Sequence, residues 1–265
     1  MRVYLGFDDT DVLDAEMGTG KLVRLLEDKL PQGASLWGVV RHQLLFDRRI
    51  PFTSHNSSAC AVVDAPESLD LSGLIAIAAA HVEEFACDGS DPGLCVARAD
   101  RNLAPLVRFG RACTHSIMTQ DEAREAAAAV HLSGHGGTRD GIIGAAAAVG
   151  LTAFGWCGRF IEFRGEFSGE LGRLRDFPDL VSVSDLDRSG IGVVSVDRDA
   201  TVPAPGDLVD TGGWLRPRLW AGAPVLPVTS DGAGLWRTVG RKERSEKPDG
   251  GKHKEPKRPL VPAGT

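Results

Sequence analysis

Apolar and polar residues alternate from the start of the chain: Val3, Leu5 and Phe7 are separated by Tyr4 and Gly6 and preceded by Arg2. A period of two predicts a β-strand, which gives way to an acidic, polar loop over residues 8–20. The period then changes. Leu22, Val23, Leu25, Leu26 and Leu30 recur at helical spacing until Pro31 and Gly33 stop the helix. Residues 36–41 and 59–63 read as further strands on either side of a polar loop, 47–58, that contains Pro51 and Asn56. Residues 71–85 predict a largely buried helix, and the alanine-rich residues 121–132 predict another. A shorter helix is expected at 107–113. A second glycine-rich loop, 133–141, precedes residues 142–149, whose small side chains suit a tightly packed helix. Strand patterns return at 159–164 and 191–196. Beyond residue 202 prolines and glycines thicken, and only short strands at 224–228 and 235–239 are expected. No repeat of fixed period is present, and the pattern predicts a mixed α and β architecture in two layers.

Composition narrows the class. The 265 residues, 42% hydrophobic and 25% charged, suffice for one large domain or two modest ones with a sizeable core. The longest apolar run, 74–80, is broken by His81, Glu83 and Glu84, far short of the roughly eighteen residues that span a bilayer. The first strand meets acids before a signal-peptide core forms. Five cysteines include no Cys-x-x-Cys pair, so reduced thiols and a cytoplasmic location are expected, with no membrane association. Net charge is −6, yet residues 241–258 carry eight Lys or Arg against four acids. The body is therefore acidic, at about −10, which disfavours broad nonspecific binding to nucleic acid. Residues 241–265 read as a disordered basic tail.

The candidate chemistry begins directly after the first strand. Asp8, Asp9, Asp11, Asp14 and Glu16 place five acids in nine residues, a repulsion that a cation relieves. Mg²⁺ prefers oxygen ligands and is commonly held by one or two carboxylates plus phosphate oxygens, which makes Asp8, Asp9 and Asp11 the candidate metal ligands. An acidic loop alone is more often a solvated helix cap. Here Gly18-Thr19-Gly20-Lys21 follows at the helix entry, where free backbone N–H groups and the helix dipole favour phosphate. Gly18, Gly20 and Lys21 are thus candidate nucleotide contacts, and Thr19 a hydroxyl for metal or phosphoryl. The tetrapeptide lacks the spacing of a Walker A loop. Arg139 and Gly141 in the second glycine loop are further candidates for phosphate, as is Asp140 for an amine. His42 and His55 are candidate general bases, whereas His131 and His135 form a poor metal face. Trp214, Trp220 and Trp236 read as core or interface.

Three segments carry a family resemblance. Residues 6–11, Gly6-Phe7-Asp8-Asp9-Thr10-Asp11, followed by Gly18-Thr19, resemble the start of the archaeal tRNA 2-agmatinylcytidine synthetases, the TiaS family. Residues 50–56 resemble its proline-aromatic loop, and residues 141–150 its glycine-alanine segment. The resemblance implies an α+β fold, with a kinase-like α/β domain of the TiaS type (1–60 and about 130–240) and a ferredoxin-like α+β domain (about 60–130). It implies ATP and Mg²⁺ at the aspartates, and a phosphorylated threonine for which Thr19 is the match. It also implies ATP-dependent ligase or phosphotransferase activity toward a nucleophilic acceptor, tRNA or a small amine. The chain departs from the family in a longer loop between Asp11 and Thr19, in Gly20 at a threonine position, and in Thr53 and His55 at basic positions. The family's OB-fold and zinc ribbon have no counterpart among these residues, so an ATP-dependent kinase or ligase on a small molecule, or a non-catalytic nucleotide- or RNA-binding module, stands as the alternative expectation. A homodimer is compatible with the composition.

Overall fold

The alternation at the N-terminus folds as β1 (Arg2–Asp8), with Val3, Leu5 and Phe7 wholly buried on one face. This is a computed structural model; it describes residues 1–53, 55–167, 170–199 and 201–240. The expected basic tail, 241–265, lies outside the described residues. After the acidic loop come α1 (Thr19–Leu25), a 3₁₀ turn (Leu26–Lys29), β2 (Ser35–Gln43) and β3 (Ser57–Asp64). Next are α2 (Leu71–Phe85), β4 (Gly93–Arg98), α3 (Ala104–Cys113), α4 (Gln120–Ala126), β5 (His131–Gly134) and α5 (Gly141–Phe154).

The strands form an antiparallel sheet in the order β5-β4-β1-β3-β2, continued by β6 (Arg159–Phe163). Leu22, Val23 and Leu26 of the α1 segment and Leu74, Ala78 and Val82 of α2 pack on the face that carries Val3, Leu5 and Phe7. The opposite face is covered by α3, α4 and α5 through Leu106, Phe109, Ala123, Ile142 and Ala145. Helices on both faces make three layers where the sequence pattern predicts two.

The remaining strands build a second core. β7 (Gly165–Phe167) and β8 (Glu170–Gly172) form a hairpin, and β9 (Leu180–Ser182) leads into α6 (Val183–Arg188). β10 (Gly192–Ser195), β11 (Leu208–Asp210), β12 (Arg218–Trp220), β13 (Ala223–Ser230) and β14 (Leu235–Thr238) follow. β12, β13, β14, β11 and β9 extend the sheet in that order beyond β6, and β10 pairs with β13. Phe160, Phe163, Leu186, Leu219, Val228 and Trp236 are among the residues that fill this core.

The α+β class agrees with the sequence pattern, and α2 begins and ends at the expected residues. The helix expected at 121–132 does not. It stops at Ala126, and residues 131–134 pair with β4 as an edge strand, so tertiary pairing overrides alanine's helix preference. Residue 60, the expected start of the ferredoxin-like region, falls inside β3, which pairs with β1 on one side and β2 on the other. α3 starts earlier than expected, with Pro105 in its first turn, where a missing N–H costs nothing.

The glycine-alanine helix α5 sits unusually close to its neighbours. A Cβ on Gly6 of β1 would lie 2.1 Å from the Ala145 carbonyl oxygen, and one on Gly150 would lie 2.0 Å from that of Leu106 in α3. Both contacts are with backbone, so neither yields by a side-chain rotation. These glycines let α5 run between β1 and α3 at a separation no larger residue permits. That packing fixes the position of the end of β1, where the acids begin.

Candidate functional site

Asp8 closes β1 opposite Gly93 of β4, and its carboxylate points at α5. A Cβ on Gly144 would lie 1.8 Å from Asp8 Oδ2, so this glycine makes the room the carboxylate occupies. Asp9 follows with φ 53°, a left-handed backbone that turns the chain out of the sheet and that aspartate tolerates better than most residues. Burial, then the charge of Asp9, pushes the Asp8 carboxyl up to about 8. Burial also raises Asp9 to about 6, helped by the charges of Asp91, Asp11 and Asp140.

Two of these acids come from distant loops. Asp91 lies just before β4 and accepts hydrogen bonds from Thr138 N at 2.6 Å and Thr138 Oγ1 at 2.8 Å. Its carbonyl accepts from Gly141 N at 3.0 Å, which pins the second glycine loop and the start of α5 to the acidic group. Asp140 accepts from Gln120 Nε2 at 2.6 Å. Among the described residues, no Lys, Arg or His forms a salt bridge with Asp8, Asp9, Asp11, Asp91 or Asp140. The group is a concentration of partly desolvated negative charge at one end of α5.

Asp11 joins this group to the entry of α1. Burial raises its carboxyl, opposed by the polarity of the nearby Thr19 backbone N–H. Gly18 caps α1 with extended backbone and no side-chain hydrogen bond. Thr10, 1% exposed, donates from Oγ1 to Thr19 Oγ1 at 3.0 Å, and Thr19 is itself only 9% exposed. Asp11, Gly18, Thr19 and Gly20 line a cavity of ≈ 160 Å³ together with Arg41, Thr53 and His55. Whole-ligand pockets usually measure roughly 300–1,000 Å³. The cavity therefore has room for a phosphate-sized group and is too small for a whole nucleotide.

The structure thus brings together Asp8, Asp9, Asp11, Gly18, Thr19 and Gly20 of the expected site. Gly141 packs its backbone against Asp91, Gly93 and the Asp8 carbonyl, which makes it a support for the acids. Lys21 is exposed and lies outside the cavity lining. Arg139 is exposed with φ 66°, and its side chain lies against Gly134. His42 is not an available base: it is 1% exposed, bonded through Nε2 to Thr152 Oγ1 at 2.8 Å, and pushed by burial down to about 3. Trp236 is a core residue whose Nε1 donates to Asp207 at 2.8 Å. Thr10, Arg41 and Asp91 enter the site without having been expected. Thr10 stood inside the aspartate motif, whereas Arg41 and Asp91 reach the site only through strand pairing.

Among the described residues, no three His, Cys, Asp or Glu side chains are arranged to hold a metal ion by themselves. The all-oxygen donor set instead suits a hard cation shared between one or two carboxylates and phosphate oxygens. No helix among the described residues is long and apolar enough to cross a membrane.

No family profile and no curated protein matches this chain. Among solved structures, a tRNA fluorescent labeling enzyme is similar over 57% of this chain and 36% of its own, at 25% identity and a TM-score of 0.49. A complex of TiaS with its tRNA and ATP is similar over the same shares, at 26% identity and a TM-score of 0.49. A complex of TiaS with the same tRNA, AMPCPP and agmatine is similar at 25% identity and a TM-score of 0.48. The matched region spans only about a third of the length of these proteins, 36% in each case.

Proposed function

We propose that this chain is an ATP-dependent phosphoryl-transferring enzyme that holds Mg-ATP between the aspartates at the end of β1 and the glycine loop at the entry of α1. Asp11 carries the reading. Its carboxylate belongs to the acidic group and also lies against Gly18 at the helix entry and lines the cavity, so one side chain links candidate metal ligands to a phosphate-sized space. The resemblance of residues 6–11 and 18–19 to the TiaS family supports the same assignment. The division into a kinase-like region, 1–60 with about 130–240, and a ferredoxin-like region belongs to this proposal, as does an acceptor that is a tRNA or a small amine.

Each residue has a role in this reading. Asp8 and Asp9 supply carboxylate oxygens, and a bound Mg²⁺ would neutralise charge developing on the phosphates. Gly18 and Gly20 keep the cavity wall free of side chains, so that backbone reaches the phosphate. Arg41 lines the same cavity as Asp11 and pairs with phosphate oxygens. The Thr19 hydroxyl, oriented by Thr10, receives the γ-phosphoryl group: its oxygen forms the new P–O bond, the β,γ-bridging bond breaks, ADP leaves, and the hydroxyl proton passes to solvent or a nearby carboxylate.

Turnover of γ-labelled ATP with Mg²⁺ by wild type, Asp8→Asn and Thr19→Ala tests this. Mg-dependent turnover absent from Asp8→Asn, and label retained on wild-type protein but not on Thr19→Ala, are the expected results. Turnover that survives Asp8→Asn unchanged, or a wild type with no Mg-dependent affinity for ATP, would sink the proposal.

A further inference from the structure

Several half-buried arginines of this fold are matched to acids. Arg2 pairs with Asp64, Arg98 with Glu67 and Asp100, and Arg164 with Glu27 and Glu162. One row across three neighbouring strands is not matched. Arg41 of β2 lies directly opposite Arg159 of β6, and Arg159 lies directly opposite Arg218 of β12. Residues in direct register share a face on neighbouring strands roughly 5 Å apart, so the three side chains stand side by side. Among the described residues none of them forms a salt bridge; Arg41 Nε donates to Ser57 Oγ at 2.9 Å.

We propose that Arg159 and Arg218, side by side with Arg41, form a phosphoanion-binding site that takes a phosphate group of the acceptor, Arg41 being shared with the nucleotide cavity. The three line one concavity of ≈ 250 Å³, together with Gln43 and Cys157, and Arg41 also lines the smaller cavity beside Thr19. All three are half-buried, so their charges repel one another through a poorly screened region. Burial and repulsion from Arg41, Arg216 and Arg218 hold Arg159 below the ordinary arginine value, yet a guanidinium stays charged. A tetrahedral anion with several oxygens relieves that repulsion and accepts from planar forks on more than one arginine. The site stands on the arginines alone, and its assignment to the acceptor rests on the phosphoryl-transfer reading.

The test is a titration of the full chain with inorganic phosphate, without nucleotide or Mg²⁺, followed by ³¹P line width and calorimetry. Arg159→Gln and Arg218→Gln are each expected to weaken phosphate binding roughly tenfold, with Mg-ATP affinity unchanged. Arg159→Lys keeps the charge without the fork and should weaken binding by less, which preserves the test if a glutamine variant fails to fold. Competition by a single-stranded oligonucleotide assigns the phosphate to a nucleic-acid strand, and competition by ribose 5-phosphate alone assigns it to a small acceptor. Phosphate binding that is absent from wild type, or equal in wild type and the double glutamine variant, overturns the site. A parallel loss of Mg-ATP binding in Arg159→Gln and Arg218→Gln also overturns it, because the arginines would then serve the nucleotide. Failure of ATP turnover with phosphate binding intact would count against the phosphoryl-transfer reading and leave the site standing.

Discussion

Replacing Asp8 by Asn asks whether the carboxylate at the end of β1 is kept at the expense of stability. Burial and Asp9 raise this carboxyl from an ordinary 3.8 to about 8, so at neutral pH the folded chain holds a proton that the unfolded chain has released. Between those two values the folded state binds more protons. Stability therefore falls as pH rises through the window, and the loss levels off above it. One pKa unit corresponds to ~1.36 kcal/mol, which makes the whole interval worth at most roughly 6 kcal/mol. Asp8 keeps part of its surface in water, and discounting by about half for screening leaves ~3 kcal/mol. Asparagine has nearly the same shape and no charge to desolvate.

Asp8→Asn is thus expected to match wild type at the acid end and to exceed it by ~3 kcal/mol at the alkaline end, or roughly 6–12 °C in Tm. Urea and thermal unfolding of both proteins, from below pH 3.8 to above pH 8, measure the difference directly. Mg²⁺ adds a second arm. A cation that binds the ionised site stabilises the wild type by about 2.7 kcal/mol at a hundredfold excess over Kd, and gives Asp8→Asn much less. A variant no more stable than wild type at the alkaline end, or a difference that does not change with pH, would refute the reasoning.

Gly6→Ala places a methyl group 2.1 Å from a backbone oxygen of α5 and is expected to cost about 3 kcal/mol or more, read as a lowered Tm. Gly144→Ala meets the movable Asp8 carboxylate instead, so it should cost less stability than Gly6→Ala while weakening Mg-ATP binding more; the reverse order would contradict the packing argument. Burial holds His42 down at about 3 from an ordinary 6.5, so its contribution to stability is lost as pH falls through that window, and an NMR titration should find the ring neutral down to the lower value. A His42 titration near 6.5 would show that the imidazole is not enclosed. Asp11→Asn and Arg41→Gln should each weaken Mg-ATP binding, and the double variant should lose less than the two combined, because both act on one bound ligand; strict additivity would mean that they do not share it.

The parts of this fold that the sequence pattern foretold are those whose signals are local. Val3, Leu5 and Phe7 announce β1 by alternation, and α2 repeats apolar residues over fifteen positions. The acidic loop and Gly18-Thr19-Gly20 are likewise contiguous, so their juxtaposition survived folding. What could not be read is what depends on register. Asp91 joins Asp9 because β4 pairs with β1, and Arg159 joins Arg41 because β6 pairs with β2. Nothing within a few residues of Arg41 signals that pairing. His131 to Gly134 shows the converse case, a short segment with helix-favouring neighbours that becomes a strand because β4 offers an unpaired edge. Lys21 stands beside the glycine loop in sequence, yet it is exposed and lies outside the cavity lining.

The site's polarity follows from these two kinds of information acting together. At one end, α5 packs against β1 so closely that Gly6 and Gly144 leave space only for backbone and for the Asp8 carboxylate, and the carboxylates of Asp8 and Asp9 are desolvated by that packing. At the other end, the pairing of β2 with β3 and β6 presents Arg41 to the cavity that Asp11 and Thr19 line. Asp11 and Thr19 lie between. A ligand that carries a cation on one side and phosphate oxygens on the other is oriented by such a field before any specific contact forms, because reversing it would set like charges against each other at both ends. Neither end tolerates its own charge comfortably: the carboxyls are raised and Arg41 is lowered, each with burial as the leading cause. The fold therefore holds poorly solvated charge of opposite sign on the aspartates at the end of β1 and on Arg41, with Asp11 on the wall of the Arg41 cavity, and under the proposed function a metal–phosphate pair relieves both at once.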